Sequence, residues 1–567
     1  MTFVIVQACC NDASCVDVCP VDCIHPTQDE PDFMRSEMLH IDPGTCIDCG
    51  ACVDECPVDA IRADHELDVT EDRYVGLNAD YFEHHPSKSH VYTDRASAWK
   101  GKDFAGCRIA VVGSGPAAFY AATELAAVRG IEIELFDRSL TPYGLVREGV
   151  APDHPSTKAV TDLFRSVAGK KSVRIHLGVE IGTDITHQDL MDSHDAVVYA
   201  TGAAGDRKLG IPGEELPGSH AAAEFVSWYN GDPESADATF DLSSNRAVVI
   251  GNGNVALDVA RILTMPIEEL AHTDIADHAL EVLRHSKIRE VVVLGRRGPA
   301  QAKFTNPELI ALANSRDIHL EVSSEDAEPD PETSAAIQKR TAESDTASKV
   351  ELLREVATRH PHDIDGDPTK KQITLRFCAA PLALLGENTV TGIRCARTVL
   401  HRSDNGIVRA ELSDSEETID AGLVLRSVGY RGRAIPGVPF DAERGVIPNK
   451  DGRVVDDSGT AVPGVYVTGW IKRGPSGVIG TNRHCAAETI GHVLTDLATR
   501  SLEATPHRRE ALDQLLSEKV PSALEFSDWT AIDKAEVAAG SASGRPRVKF
   551  VDQDALRAAV SHNSDRY

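Results

Sequence analysis

No apolar run in this 567-residue sequence approaches the roughly 20 residues of a membrane span, so no transmembrane helix is expected. The short stretch Thr2–Val6 is apolar, but no basic residue precedes it, so it does not read as a signal peptide. Positive charge is also scarce: 58 Lys and Arg stand against 88 Asp and Glu, a formal charge of −30. Nucleic acid and anionic membrane both need a basic surface, so neither is expected as a partner. What is left is an ordinary soluble composition, 42% hydrophobic and 26% charged. The chain is too long for one core, so several domains are expected.

Cysteine is concentrated at one end. Nine of the 13 lie in the first 56 residues, and Cys107, Cys378, Cys395 and Cys485 are scattered. In a small secreted protein such density would mean disulfides. In a chain this long it reads as metal ligation in a reducing cytosol, so a cytoplasmic protein is expected. The run Cys46-x2-Cys49-x2-Cys52-x3-Cys56-Pro57 has the spacing of an iron–sulfur cubane loop. Three thiolates serve one cluster, and the fourth, before proline, serves a second. The half-copy Cys15-x3-Cys19-Pro20 supplies the reciprocal ligand. Cys-Pro-Val-Asp occurs twice, at Cys19 and Cys56, so two similar halves should pack face to face. Separated CxxC pairs, the usual sign of zinc, are absent. Acidic side chains, among them Asp12, Asp17, Asp22, Asp48, Asp54, Glu55 and Asp59, crowd the module. They either lower the cluster potential or form a solvated face.

The stretch Val111-Val-Gly113-Ser-Gly115-Pro-Ala-Ala118 follows an apolar strand and opens into a helix over Phe119–Arg129. Gly113 and Gly115 let the backbone approach a pyrophosphate, and the helix N-terminus offers it N–H groups. A second strand, Ile131–Phe136, ends in Asp137, where a carboxylate suits ribose hydroxyls. A second fingerprint, Gly251-Asn-Gly253-Asn254-Val255-Ala256, follows the strand Ala247–Ile250 and opens a helix at Leu257. Two units predict two dinucleotides, FAD first and nicotinamide second. After the strand Val291–Leu294 come Arg296 and Arg297 where an NAD site would carry an acid. Paired guanidinia suit the 2′-phosphate of NADP. Two crossings between units are expected at Asp195–Gly202 and Tyr430–Gly432. Ser323–Pro368 reads as surface elaboration, and Gln372–Cys378 with Ile407–Leu412 as strands finishing the nicotinamide sheet.

The cysteine region resembles bacterial two-cluster ferredoxins of the seven-iron type. That resemblance implies Cys9, Cys15 and Cys56 at a 3Fe–4S cluster, and Cys19, Cys46, Cys49 and Cys52 at a 4Fe–4S cluster. The gap from Cys9 to Cys15 is shorter than the family's, so Cys10 is an alternative ligand and a second 4Fe–4S cluster an alternative first centre. The string Gly144-Leu-Val-Arg147…Gly149-Val-Ala-Pro-Asp-His154-Pro155 resembles the adrenodoxin reductase family of FAD-dependent ferredoxin–NADP reductases. The likeness runs from about Arg108 to near the C-terminus. It implies FAD contacts at Ala118, Asp137, Leu145, Val179, Trp470, Gly477, Val478 and Ile479. It implies nicotinamide-cofactor contacts at Arg207, Asn254, Val255, Ala256 and Leu257. It puts His154 and Glu308 at the redox junction.

The expected fold is therefore α/β. Two Rossmann-like dinucleotide-binding domains of glutathione reductase-like architecture follow a small α+β two-cluster ferredoxin. The expected boundaries are 1–83 for the ferredoxin, 84–106 for a linker, 107–205 and 430–567 for the FAD domain, and 206–429 for the NADP domain. The expected activity passes electrons from NADPH through FAD to iron–sulfur clusters. An external acceptor then takes them, such as a separate ferredoxin or a ferredoxin-dependent oxygenase, with the protein acting as a monomer. A glutamate synthase small-subunit-like flavoprotein and a non-catalytic redox sensor are the alternatives.

Overall fold

The computed structural model of the chain describes residues 2–85, 99, 101–359, 370–403, 407–499 and 509–564. Most of the expected linker, residues 86–98 and 100, lies outside them.

Two parallel sheets organise the body. The first has eight strands in the order Asn449–Lys450, Arg453–Val455, Ala461–Val467, Ala196–Tyr199, Arg108–Val112, Glu132–Asp137, Val173–Leu177 and Leu524–Glu525. Its five central strands run parallel. The strands Ile109–Val112 and Ala196–Tyr199 are buried on both faces, which explains their unbroken apolar runs. The second sheet has six parallel strands: Ser219–Ala221, Leu423–Arg426, Arg246–Ile250, Glu290–Leu294, Lys371–Arg376 and Ile318–Val322. The strand Leu423–Arg426 enters this sheet beside Arg246–Ile250 before the chain returns. The two crossings between sheets pair with each other, Gly205–Asp206 against Tyr430–Arg431.

Two elements differ from expectation. Ile407–Leu412 does not finish the nicotinamide sheet. It belongs to the strand Val408–Asp420 of a separate antiparallel sheet with Ala379–Leu385 and Gly392–Arg402. Period-2 alternation with a wet face marks such a strand, whereas a doubly covered strand is apolar throughout. Of Ser323–Pro368, residues 360–368 lie outside the described residues, and the rest is more than surface. Its helix Ser344–Thr358 buries Val350, Leu352, Leu353 and Val356, and its Arg-facing flank meets the N-terminal module.

That module pairs Phe3–Ile5 with Ile61–Ala63 and Ile24–His25 with His40–Ile41. Its halves repeat at a fixed offset of 37 residues: Cys46, Cys49, Cys52 and Cys56 follow Cys9, Asp12, Cys15 and Cys19. Left-handed backbone recurs in the same register, at Asn11 and Asp48, Ala13 and Gly50, and Asp22 and Asp59. The short helices Ser14–Asp17 and Ala51–Asp54 are thus entered by equivalent turns.

Direct contacts, not the tether alone, seat the module on the body. Glu37 accepts from the Asn306 backbone N–H at 2.6 Å and from Lys349 Nζ at 3.1 Å. The Tyr74 hydroxyl donates to the Pro307 carbonyl, Asn314 donates to the Thr70 carbonyl, and Arg73 pairs with Glu355. Its apolar core runs without a break into that of the nicotinamide unit.

The helix Phe526–Ser543 of the C-terminal tail holds Arg147. Arg147 is buried and donates to both oxygens of Glu536, at 2.9 and 2.7 Å, while its guanidinium lies 5.0 Å from the Trp529 ring. Nearby, Lys549 and Lys158 both bind Asp274, joining the tail, the flavin loop and the nicotinamide unit. Glu536 is fully buried. Replacing it with Ala leaves the Arg147 charge short of its main partner, so Glu536→Ala is expected to cost about 3–5 kcal/mol. Urea unfolding followed by tryptophan fluorescence measures this.

Candidate functional site

The two glycine turns are built alike. Gly113 has φ 113°, and a Cβ there would lie 2.6 Å from the Ala200 carbonyl, where the neighbouring strand leaves the sheet. Gly251 has φ 128°, and its Cβ would lie 2.0 Å from the Ser427 carbonyl in the equivalent place. Only glycine fits either position. At Gly115 a Cβ would meet nothing within 4 Å, and at Gly253 only Lys303 at 4.0 Å. The second glycine of each turn therefore presents open backbone, as pyrophosphate binding requires. The helices Pro116–Ala126 and Asn254–Thr264 start there, with Pro116 at the first position of its helix.

Around the first turn, Asp137 stands at its strand end, but its carboxylate is engaged by the protein. One oxygen accepts from the Ser114 N–H and hydroxyl at 2.6 Å, and the other from the Ser139 N–H at 2.9 Å. Burial raises its pKa despite these bonds. Leu145 is half-exposed beside Gly144, whereas the Val179 side chain is packed in the core, leaving only its backbone to a ligand. Trp470 is held by its indole N–H on the Ser476 carbonyl at 3.1 Å and leans on Tyr430. Gly477 (φ 79°), Val478 and Ile479 lead into the helix Thr481–Ala498, which packs against Pro116–Ala126.

Around the second turn, Asn254 fixes the following loop through both side-chain atoms on Thr305. Val255 remains half-exposed. Ala256 and Leu257, implied as cofactor contacts, have fully buried side chains, and their N–H groups are taken by the Gly253 carbonyl. Arg207 and Arg296 are exposed and Arg297 is half-buried. Among the described residues none of the three has an ion-pair partner. Burial and the Arg296 charge depress the Arg297 pKa, the condition an anion would relieve. The antiparallel sheet holds their backbone: Thr398 donates to the Arg296 carbonyl, and the Cys378 N–H to that of Arg297.

Between the units the structure brings His154 and Glu308 together, 3.9 Å apart across the two sheets. Arg261 ties them. It donates to both Asp153 oxygens at 2.5 and 3.2 Å, to His154 Nε2 at 3.0 Å, to Asp258 at 2.7 Å and to Glu308 at 3.4 Å. His154, Asp258 and Glu308 place ligand atoms within 4.8 Å of one another, but the guanidinium already supplies the cation. Arg261 and Asp258 were not expected as site residues. Their i,i+3 spacing on the helix behind the second glycine turn was the available signal.

The cysteines form two groups. Cys19, Cys46, Cys49 and Cys52 line one hollow with Phe3, Val21, Cys23, Ile24 and Ile41, a soft-donor set that fits an iron–sulfur cluster. Cys23 shares this hollow at 3.4 Å from Cys19, and its S–H bond holds the Cys19 pKa down. In the other group, burial pushes Cys9 up to about 11, and Cys15 higher still, with Cys9 and Cys56 adding like charge to Cys15. Cys9, Cys15 and Cys56 together are the soft-donor set that an iron–sulfur cluster takes. Cys9 turns inward to accept the Leu39 N–H, whereas Cys10 is buried in the flavin-unit core. Asp12, in register with Cys49, instead accepts from Ser14 and Tyr120.

Two dinucleotide turns on two parallel sheets, joined by paired crossings and capped by a thiol-lined module, define a two-nucleotide flavoprotein carrying an iron–sulfur domain. The comparisons agree. Residues 107–309 match the pyridine nucleotide-disulphide oxidoreductase family, and residues 39–62 the 4Fe-4S binding domain. The chain is 46% identical to a probable ferredoxin/ferredoxin–NADP reductase of Mycobacterium tuberculosis, over 99% of this chain and 95% of that one. It is 38% identical to the mitochondrial NADPH:adrenodoxin oxidoreductase of Arabidopsis thaliana, over 80% of this chain and 95% of that one. Its structure resembles that of Mycobacterium tuberculosis FprA in complex with NADPH, with a TM-score of 0.74 and 40% identity over 80% of this chain and 99% of that one. The chain belongs to the ferredoxin/ferredoxin–NADP reductases, FAD-dependent oxidoreductases with a ferredoxin-like iron–sulfur domain. Among the described residues no helix is long and apolar enough to cross a membrane.

The ion knot carries a pH signature. Burial alone would raise Asp153, but Arg261 and then His154 bring its pKa down to about 2. Its folded value lies below the unfolded value of about 3.9. The stability it contributes is complete above pH ~4 and is lost as pH falls toward 2. Asp153→Asn is expected to flatten the fall of the urea midpoint across that window. An unchanged slope would show that Asp153 is not held by Arg261.

Proposed function

We propose that the chain takes electrons from NADPH at the Arg207, Arg296 and Arg297 side and delivers them through its own ferredoxin to an external one-electron acceptor. The observation that carries this is the seating of the ferredoxin on both dinucleotide units. When bound, FAD supplies the exchange between a two-electron nicotinamide and one-electron clusters. Gly115 and Gly253 admit the two pyrophosphates, and the helix starts behind them provide N–H donors. Arg296 and Arg297 select the 2′-phosphate by charge and planar donors. Trp470, Gly477, Val478 and Ile479 border the flavin ring. Asp153, His154, Asp258 and Glu308, held by Arg261, order the junction where the two rings meet and keep the units in register. Cys19, Cys46, Cys49 and Cys52 hold a 4Fe–4S cluster. Cys9, Cys15 and Cys56 hold a 3Fe–4S cluster, because Asp12 occupies the position of a fourth thiolate and is turned to other partners.

Mixing the purified protein with NADPH should bleach its flavin absorbance, and persistence of the yellow colour would overturn the reading. The Arg296→Ala/Arg297→Ala protein should lose charge-assisted bonds worth about 1.5–3 kcal/mol. Its KM for NADPH should rise roughly 10- to 100-fold with little change for NADH. Low-temperature electron paramagnetic resonance should show an oxidised three-iron signal that vanishes in Cys9→Ala and survives in Cys10→Ala. The reverse pattern would move the ligand to Cys10.

A further inference from the structure

The two halves of the ferredoxin face different surroundings. Cys10 is 4% exposed and sits in the apolar core of the flavin unit with Ala117, Tyr120 and Ala486. Cys9 and Cys56 pack against the same core, as does Ile479. None of Cys19, Cys46, Cys49 and Cys52 does so. Cys49 is exposed, and its neighbour Ile47 is 58% exposed.

The seat itself is close-fitting. The Gly480 N–H donates to the Cys10 carbonyl at 2.7 Å. A Cβ on Gly480 would lie 2.2 Å from the Asn11 and Asp12 backbone, so only glycine allows the approach. Arg483, one turn into the same helix, donates to the Asp12 carbonyl and to Ser14 Oγ, both at 2.9 Å, and faces Asp17 at 3.7 Å. Tyr120, on the helix behind the flavin glycine turn, donates to the Asp12 carboxylate at 3.2 Å. Asp12 stands where the second half has Cys49, so the position given to metal binding in one half is given to docking in the other.

We propose that this seat is the electron port of the molecule. Electrons cross from the flavin over the Ile479–Gly480 segment to Cys10, reach the centre held by Cys9, Cys15 and Cys56 first, and leave from the exposed Cys46–Cys52 loop. The attached ferredoxin is then the obligatory first acceptor, and it bars a separate ferredoxin from this face of the flavin unit. The inference rests on the reading under Proposed function. NADPH gives up a hydride and becomes NADP+. Each crossing then oxidises the reduced flavin by one electron and reduces the first centre by one, and the flavin's proton returns to solvent. No bond in the chain forms or breaks.

Arg483→Glu sets a carboxylate against Asp12 and Asp17 without touching the residues assigned to FAD or NADPH. In the full-length variant, flavin bleaching by NADPH should stay within twofold of wild type. Reduction of the first centre, followed by freeze-quenched electron paramagnetic resonance, should slow at least tenfold. Hydrogen–deuterium exchange at the Gly480 amide should quicken. The charge-swapped Arg483→Glu/Asp17→Arg protein should recover to within threefold. Arg483→Ala, which only removes contacts, should slow cluster reduction about threefold and serves if Arg483→Glu does not fold. Wild-type cluster reduction in the variant that folds would overturn the port. Failure of the wild-type flavin to bleach would instead overturn the underlying reading.

Discussion

Electron transfer needs carriers in close approach, and in this chain backbone meeting backbone enforces that approach. Gly480 lies against the Asn11–Asp12 peptide with no room for a side chain, and its N–H closes on the Cys10 carbonyl. The same device operates where Gly113 meets Ala200 and Gly251 meets Ser427. Glycine at these places removes the Cβ that would hold two main chains apart. Much of the remaining architecture keeps these contacts aligned. The ferredoxin shares an apolar core with the nicotinamide unit, and the helix Ser344–Thr358 braces it from the far side.

Alignment between the two nucleotide units depends on buried charge. Arg261 belongs to one unit, and Asp153 and His154 to the other. A second knot lies nearby, where Lys158, Asp274 and Lys549 join three separated segments. Buried ion pairs add little net stability compared with apolar packing, but they tolerate few alternative geometries. That property suits a junction where two rings must meet at a defined distance. The Arg147–Glu536 pair extends it to the helix Phe526–Ser543, so the C-terminal tail helps hold the flavin loop.

Much of the fold was legible in the sequence because its signals are local. Strand, glycine turn and helix are contiguous at Val111–Ala118 and again at Ile250–Leu257, and the Cys46–Cys56 spacing encodes one loop. What escaped was non-local or double-edged. No local signal pairs Arg147 with Glu536, which lies 389 residues away. The helix Ser344–Thr358 looked like surface because its polar residues include Lys349, which is buried and binds Glu37 of the ferredoxin. Ala256 and Leu257, implied as cofactor contacts by the family resemblance, have buried side chains packed behind the glycine turn. The strand Val408–Asp420 carried the alternation of a half-wet sheet and was misplaced by order along the chain.

The 37-residue repeat was legible in part, and its exception is informative. Matching turns at Asn11 and Asp48 and at Ala13 and Gly50 keep the two loops in one backbone conformation, so the contrast between Asp12 and Cys49 is a contrast of side chains. A carboxylate is a hard donor that readily accepts hydrogen bonds, whereas a thiolate is a soft iron ligand. At this position the first half meets Tyr120, Arg483 and the flavin unit, while the second meets solvent. Where a ligand loop must also dock, one position serves better as a hydrogen-bond acceptor.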